Sequence, residues 1–130
     1  IHTALGPLHA GEIAVPAPVT LPAGTVAGDA AHEAALHPQP AYPVVDALGR
    51  RAGVVTPEVL RRADLTTPIE QLLSTRTVDA DASVEDLLDL QVGDGAAVVH
   101  QRALVGVLSG ALVQDALRRR VADLEDHGPD

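Results

Sequence analysis

The chain has 130 residues and a formal net charge of −9, and its hydrophobic 46% consists of 22 Ala, 17 Val, 17 Leu, 3 Ile and one Tyr. With Phe, Trp, Met, Cys and Lys all absent, there can be no disulfide, thiolate metal site or cysteine nucleophile, and any core must be built from small aliphatic groups. The balance of 18 acidic against 9 basic residues argues against nucleic-acid binding, which needs phosphate neutralisation and, for single strands, aromatic stacking platforms.

Residues 1–11 carry Gly6-Pro7 and Gly11 with little periodicity and read as a tail or connector. The opening has neither an initiator Met nor the basic start of a signal peptide, so the chain reads as a domain excised from something longer. An extended stretch, Val19-Thr20-Leu21, precedes a helix over 26–36 with Thr25 as its cap. Within that helix, His32-Glu33-Ala34-Ala35-Leu36-His37 resembles the zinc-protease helix signature. Its two His are five apart rather than four, so they point about 140° away from one another and do not share a metal.

Two segments then repeat at an offset of 53. Tyr42-Pro43-Val44-Val45, a turn over 46–50 and Gly53-Val54-Val55-Thr56 match Val98-Val99, a turn over 100–102 and Gly106-Val107-Leu108-Ser109. Each is a hairpin signal. Each also ends on a good N-cap, Thr56 or Ser109, opening a helix. The first is short, 57–63. The second is amphipathic, with Val113, Leu117, Val121 and Leu124 on one face and His127-Gly128-Pro129 as its stop.

Between the copies, Thr67-Pro68-Ile69-Glu70 reads as a capping box opening a linking helix over 64–75, with Ile69, Leu72 and Leu73 inward. Arg76-Thr77-Val78 is extended. Ser83-Val84-Glu85-Asp86 approximates a second capping box, with Val84, Leu87 and Leu88 on one face and Glu85, Asp86 and Asp89 on a solvated acidic one. Asp79 and Asp81 flank a strand end, and Gly93-Asp94-Gly95 is a turn. No catalytic triad, phosphate-cradling glycine loop or metal-ligand spacing is present. The longest nearly uncharged stretch of the second half, 103–113, is well short of a membrane span of roughly 20 residues. The domain plan is a connector at 1–11, a first unit at 12–63, a linking helix at 64–75, a second unit at 76–125 and a tail at 126–130.

On Pro43-Val44-Val45-Asp46, Gly53-Val54-Val55-Thr56, their second copies and the phrase over 78–84, the chain resembles the tandem cystathionine-β-synthase-type (CBS) domains, over roughly residues 12–120. The resemblance implies an α+β fold of two βαββα units about a pseudo-two-fold axis, with clefts that bind adenosine-containing ligands in many members. AMP, ADP, ATP and S-adenosylmethionine are the candidate ligands; no cofactor is required. In those members the Thr or Ser closing the third strand contacts phosphate, a role matched by Thr56 and Ser109, and an Asp three residues on holds the ribose. Val59 and Leu112 stand at those Asp positions and accept no hydrogen bond from a diol.

Val44 and Val98 lie on the strands lining the cleft, Arg50, Arg51 and Arg102 could supply charge from the hairpin turns, and Tyr42 could stack on a planar ligand. The plainer readings stay beside these: helix caps for Thr56 and Ser109, solvation for the arginines, strand-edge packing for Tyr42. The resemblance further implies a non-catalytic regulatory module that pairs with a second copy and contacts the rest of its parent chain. Within the family, the Lys-free, Ala/Val-dominated usage looks like the cytoplasmic pairs of bacterial site-2-type intramembrane metalloproteases. A small-molecule sensor and a structural spacer are the other readings.

Overall fold

The computed structural model describes residues 8–126, with side chains to residue 123. Short α1 (Ala10–Ile13) is followed by β1 (Leu21–Pro22), α2 (Ala27–Leu36), β2 (Tyr42–Val45), β3 (Arg51–Val55) and α3 (Pro57–Arg62). The second half repeats the order with β4 (Thr77–Asp79), a 3-10 turn (Val84–Leu87), β5 (Gly95–His100), β6 (Ala103–Ser109) and α4 (Gly110–Asp126). In each half a parallel pair and an antiparallel pair make one three-stranded sheet, ordered β1-β2-β3 and β4-β5-β6. This is the α+β, twofold-repeated plan expected.

The duplication extends to register. Leu21 pairs with Val44 and Val44 with Gly53; in the second sheet Val78 pairs with Val98 and Val98 with Gly106. The same register shift recurs between Val44 and Val45 and between Val98 and Val99. Only the turns differ. In the first, the Asp46 carboxylate accepts from the Leu48 and Arg50 amides and Gly49 takes a positive φ of 77°. The second is tighter, with Gln101 and Arg102 at φ 50° and 68°, the left-handed pair that matches strand twist.

Each sheet covers its own aliphatic core. Leu21, Ala27, Ala30, Tyr42, Val44, Val55, Leu60 and Ile69 form the first; Ala10, Val78, Val84, Leu87, Leu90, Val98, Leu108 and Val113 form the second. Ala41, Val54, Ala97 and Val107 form a third, smaller cluster that draws on both sheets. Two crossing segments lie alongside the third strands. Ser74 exchanges both backbone hydrogen bonds with Val54 on β3, and Val15 does the same with Val107 on β6. A Cβ on Gly53 would sit 2.7 Å from the Ser74 carbonyl oxygen, and one on Gly106 2.9 Å from that of Val15. Both glycines are there because the backbones touch.

Several local expectations are corrected. The connector drawn over 1–11 overlaps a built segment. Ala10 is fully buried in the second core, and the Ala10 and Gly11 amides donate to the Ala82 and Ala80 carbonyls. The aliphatic spacing of Leu8, Ala10 and Ile13 was too brief to register as an element. The linking helix shrinks to one 3-10 turn, Ile69–Gln71, with Pro68 at the N-cap position and no side-chain cap. Its capping box is absent because the Glu70 carboxylate instead accepts from the Gly24 amide. Ile69 is buried, with Leu72 and Leu73 partly so, against the first core.

Thr25 does not cap α2. Its hydroxyl donates to the Pro22 carbonyl, and Val26 holds the cap position. The helix expected after Ser83 is likewise a 3-10 turn, with the Ser83 hydroxyl donating to Glu85 and Leu88 turned outward, 64% exposed. Its i→i+3 bonds, Asp86 to Ser83 and Leu90 to Leu87, return the chain to β5 in fewer residues than an α-helix would. The stop at 127–129 and the tail beyond Asp126 lie outside the described residues.

Replacing Gly53 with Ala should cost about 1–3 kcal/mol in urea unfolding, as overpacking against unyielding backbone does. Gly93→Ala, whose Cβ would meet the Glu58 Cβ at an ordinary 3.6 Å, should stay within about 0.5 kcal/mol.

Candidate functional site

The site to examine is the cleft between the repeats, where β3 hands over to α3. Thr56 is extended (φ −100°, ψ 154°) and its hydroxyl oxygen accepts from the Val59 amide at 3.4 Å. That is a helix cap. Pro57 at the first position and Glu58 in the first turn support the same start. The hydroxyl proton is also committed, donated across the seam to the Gly93 carbonyl at 2.8 Å. Ser74 donates likewise to the Gly95 carbonyl at 2.8 Å.

The turn over 91–95 is thus held against the cleft by two side-chain hydroxyls. Gly95 is wedged there, since a Cβ would meet the Thr56 methyl at 2.8 Å. What remains is about 160 Å³ lined by Val54, Thr56, Val59, Leu72, Leu73, Ser74 and residues 93–95. Pockets for drug-sized ligands run to roughly 300–1,000 Å³.

The second hydroxyl repeats the cap. Ser109 is 6% exposed and accepts from the Leu112 amide at 3.3 Å. The helix behind it starts against the same turn, with the Gly110 amide donating to the Asp94 carbonyl. Val59 packs on the first core and Leu112 on the second, and neither hydrocarbon side chain accepts a hydrogen bond.

Tyr42 is not a stacking platform. Its ring is fully buried, and its hydroxyl lies 2.6 Å from the His37 carbonyl, 3.0 Å from that of Ala34 and 3.0 Å from the Gln39 amide. Its single proton is shared between these two carbonyls, His37 being the nearer, and its oxygen accepts from Gln39, fastening the helix terminus to β2. Burial pushes its pKa up, partly offset by the Gln39 amide. Pro38 ends the helix and a buried Tyr satisfies its carbonyls; the lone aromatic is structural.

Val44 and Val98 are also fully buried, inside the two cores. Arg50, Arg51 and Arg102 are exposed in the hairpin turns. The length of β3 separates Arg51 from Thr56, roughly 17 Å at the rise of an extended chain, and that of β6 separates Arg102 from Ser109 by roughly 23 Å. Arg50 pairs with Asp46 in its own turn at 3.1 Å. The structure therefore brings none of these arginines to the hydroxyl that ends its own strand.

His32 is exposed and His37 lies 4.0 Å from Glu33. On the acidic face, Asp89 is more than solvated charge: Arg76 grips both of its oxygens. That contact holds the Asp89 carboxyl below its ordinary range and raises the Arg76 guanidinium.

No family model matches the chain, and no curated protein matches it in sequence. Solved structures do match in fold. A conserved CBS-domain protein of Thermoplasma acidophilum superposes with a TM-score of 0.69 at 18% identity, over 90% of this chain and 74% of that one. The CBS-domain pair of protein MJ0100, in complex with 5′-methylthioadenosine and S-adenosyl-L-methionine, gives 0.68 at 19% over 88% and 98%. A CBS-domain protein of Agrobacterium tumefaciens gives 0.66 at 19% over 90% and 98%. The fold is that of a CBS-domain pair. Among the described residues, no helix is long and apolar enough to cross a membrane.

Tyr42→Phe should lower stability by about 1–3 kcal/mol, the cost of orphaning buried partners. In the native chain, stability should fall as pH rises past about 10, where the unfolded phenol ionises and the folded one resists. Unfolding followed against pH should show the Tyr42→Phe chain without that alkaline slope.

Proposed function

We propose that the chain is a non-catalytic regulatory and interaction module of a larger protein, acting by self-association and by contact with its parent. The observation that carries this is a contrast between inward and outward surfaces. The inter-repeat cleft is small, is lined by apolar Val59, Leu72 and Leu73, and has the Thr56 and Ser74 hydroxyls committed to backbone carbonyls. Facing outward between α2 and α3 is a groove of about 400 Å³ lined by Ala31, Ala34, Ala35, Pro38, Pro57 and Leu60, among others. Further along, α4 leaves an apolar strip of Leu117, Val121 and Ala122 open to solvent. Small side chains on the α2 face let a second helix approach closely, and that is the surface we assign to pairing with a second copy.

The parent we propose is a bacterial site-2-type intramembrane metalloprotease, with the module at the cytoplasmic face of the membrane. Support for it is the Arg-only, Ala/Val-rich usage and the apolar ribose positions. A second reading, an adenine-nucleotide or S-adenosylmethionine sensor, is favoured by the MJ0100 complex. It requires the 91–95 turn to release Thr56.

Light scattering across a concentration series should give a dimer for the native chain and a monomer for Ala35→Arg, which places a charge on exposed α2 surface. A native chain that stays monomeric at high concentration contradicts self-association. Deleting the module from its parent should change the parent's activity while leaving its expression and folding intact; unchanged activity would favour the spacer reading.

A further inference from the structure

The duplication supplies an internal control on which side chains the fold requires. At the end of the first strand of each repeat the chain makes the same turn. The Ala23 amide donates to the Val45 carbonyl at 2.8 Å, and the Ala80 amide to that of Val99 at 2.8 Å. In the first repeat the side chains around that turn are Pro22, Gly24 and, beyond β2, Asp46. Asp46 is occupied by the Leu48 and Arg50 amides and the Arg50 guanidinium.

In the second repeat the same three places hold Asp79, Asp81 and His100. Their ligand atoms all lie within 4.8 Å of one another, on exposed side chains. The fold builds this turn with one carboxylate, already engaged, in the first copy and gathers three potential metal ligands in the second. Sequence reading placed Asp79 and Asp81 at a strand end, but His100 joins them only through the parallel pairing of Asp79 with Val99.

We propose that Asp79, Asp81 and His100 bind a divalent transition metal of the zinc type. One imidazole nitrogen and two carboxylate oxygens suit a borderline cation, whereas calcium and magnesium take oxygen alone. Zinc bonds of roughly 2.0–2.2 Å place neighbouring donors about 3–3.5 Å apart, so the three side chains need to close by little more than an ångström. Being exposed, they are free to rotate. Asp79 is already oriented by the Asp81 amide at 2.8 Å.

Four of the five arginines of this repeat pair elsewhere, Arg76 with Asp89, Arg118 and Arg119 with Asp115, and Arg120 with Glu85, and the fifth, Arg102, is exposed in the β5–β6 turn. Three protein ligands leave further coordination positions to water or to a partner's side chain. The metal would tie β4 to β5 around the turn whose Ala80 and Ala82 carbonyls hold the Gly11 and Ala10 amides. It would thereby stiffen the seat of the N-terminal segment.

The test is calorimetric titration of zinc chloride into the 130-residue chain, with circular dichroism to verify that each variant is folded. One equivalent of zinc should bind the native chain, at least tenfold more weakly in His100→Ala and in Asp79→Asn. Affinity should be unchanged in His37→Ala, which removes an exposed imidazole beside Glu33. No binding at millimolar zinc, or His100→Ala binding like the native chain, would overturn the proposal. Calcium binding as tightly as zinc would do so too, because the imidazole would then not be a ligand.

Discussion

The structure depends on two close backbone approaches. In each repeat a segment from outside it lies against the third strand, and the approach is possible only because Gly53 or Gly106 has no side chain there. These paired bridges, Val54 with Ser74 and Val107 with Val15, bring the two sheets to a shared cluster of Ala41, Val54, Ala97 and Val107. Every residue of that cluster is Ala or Val, and Ala17 packs against it. A chain with no Phe, Trp or Met is what two thin sheets meeting at contact distance require, and dispersion between close-packed methyl groups holds them together.

That tight seam also decides what the cleft can do. With the sheets this close, the 91–95 turn falls on the N-terminus of α3, and the Thr56 and Ser74 hydroxyls find carbonyls rather than solvent. Gly110 abuts the same turn so closely that a Cβ would sit 1.7 Å from the Gln91 carbonyl oxygen. The end of β3 and the start of α4 are thus fixed by one turn. Small residues close the interior, and the remaining apolar surface is displaced outward onto α2, α3 and α4.

Much of the fold was legible because it is written twice. Gly-Val-Val-Thr and Gly-Val-Leu-Ser in register identified the hairpins and the helix starts, and a repeated pattern is far less ambiguous than either copy alone. The short elements were not. Val84–Leu87 and Ile69–Gln71 have helical spacing for a single turn, and tertiary closure converted both to 3-10 geometry. Capping motifs misled where a carboxylate had a better donor across the chain, as Glu70 has in the Gly24 amide.

Of the paired readings, the plainer one describes each residue: Thr56 and Ser109 cap their helices, and Tyr42 is packed and fully buried. A Tyr before Pro-Val-Val carries no sign in its own strand that its hydroxyl will be consumed by the carbonyls of Ala34 and His37 at the end of the preceding helix. The Arg positions were readable as turn residues, but their distance from the hydroxyls depends on strand direction. Asp79 and His100 meet only through a parallel pairing, which sequence spacing does not encode.

We propose that the inter-repeat cleft, of about 160 Å³, is closed to adenosine ligands. Its most direct test is titration of the purified chain with AMP, ADP, ATP and S-adenosylmethionine, read by calorimetry and thermal unfolding. A ligand at a hundredfold excess over its dissociation constant raises stability by about 2.7 kcal/mol, which such measurements resolve readily. The structure predicts no heat of binding and no stabilisation across the panel at millimolar ligand. Saturable one-to-one binding of any of the four, lost on closing the cleft further with Ser74→Leu, would contradict it.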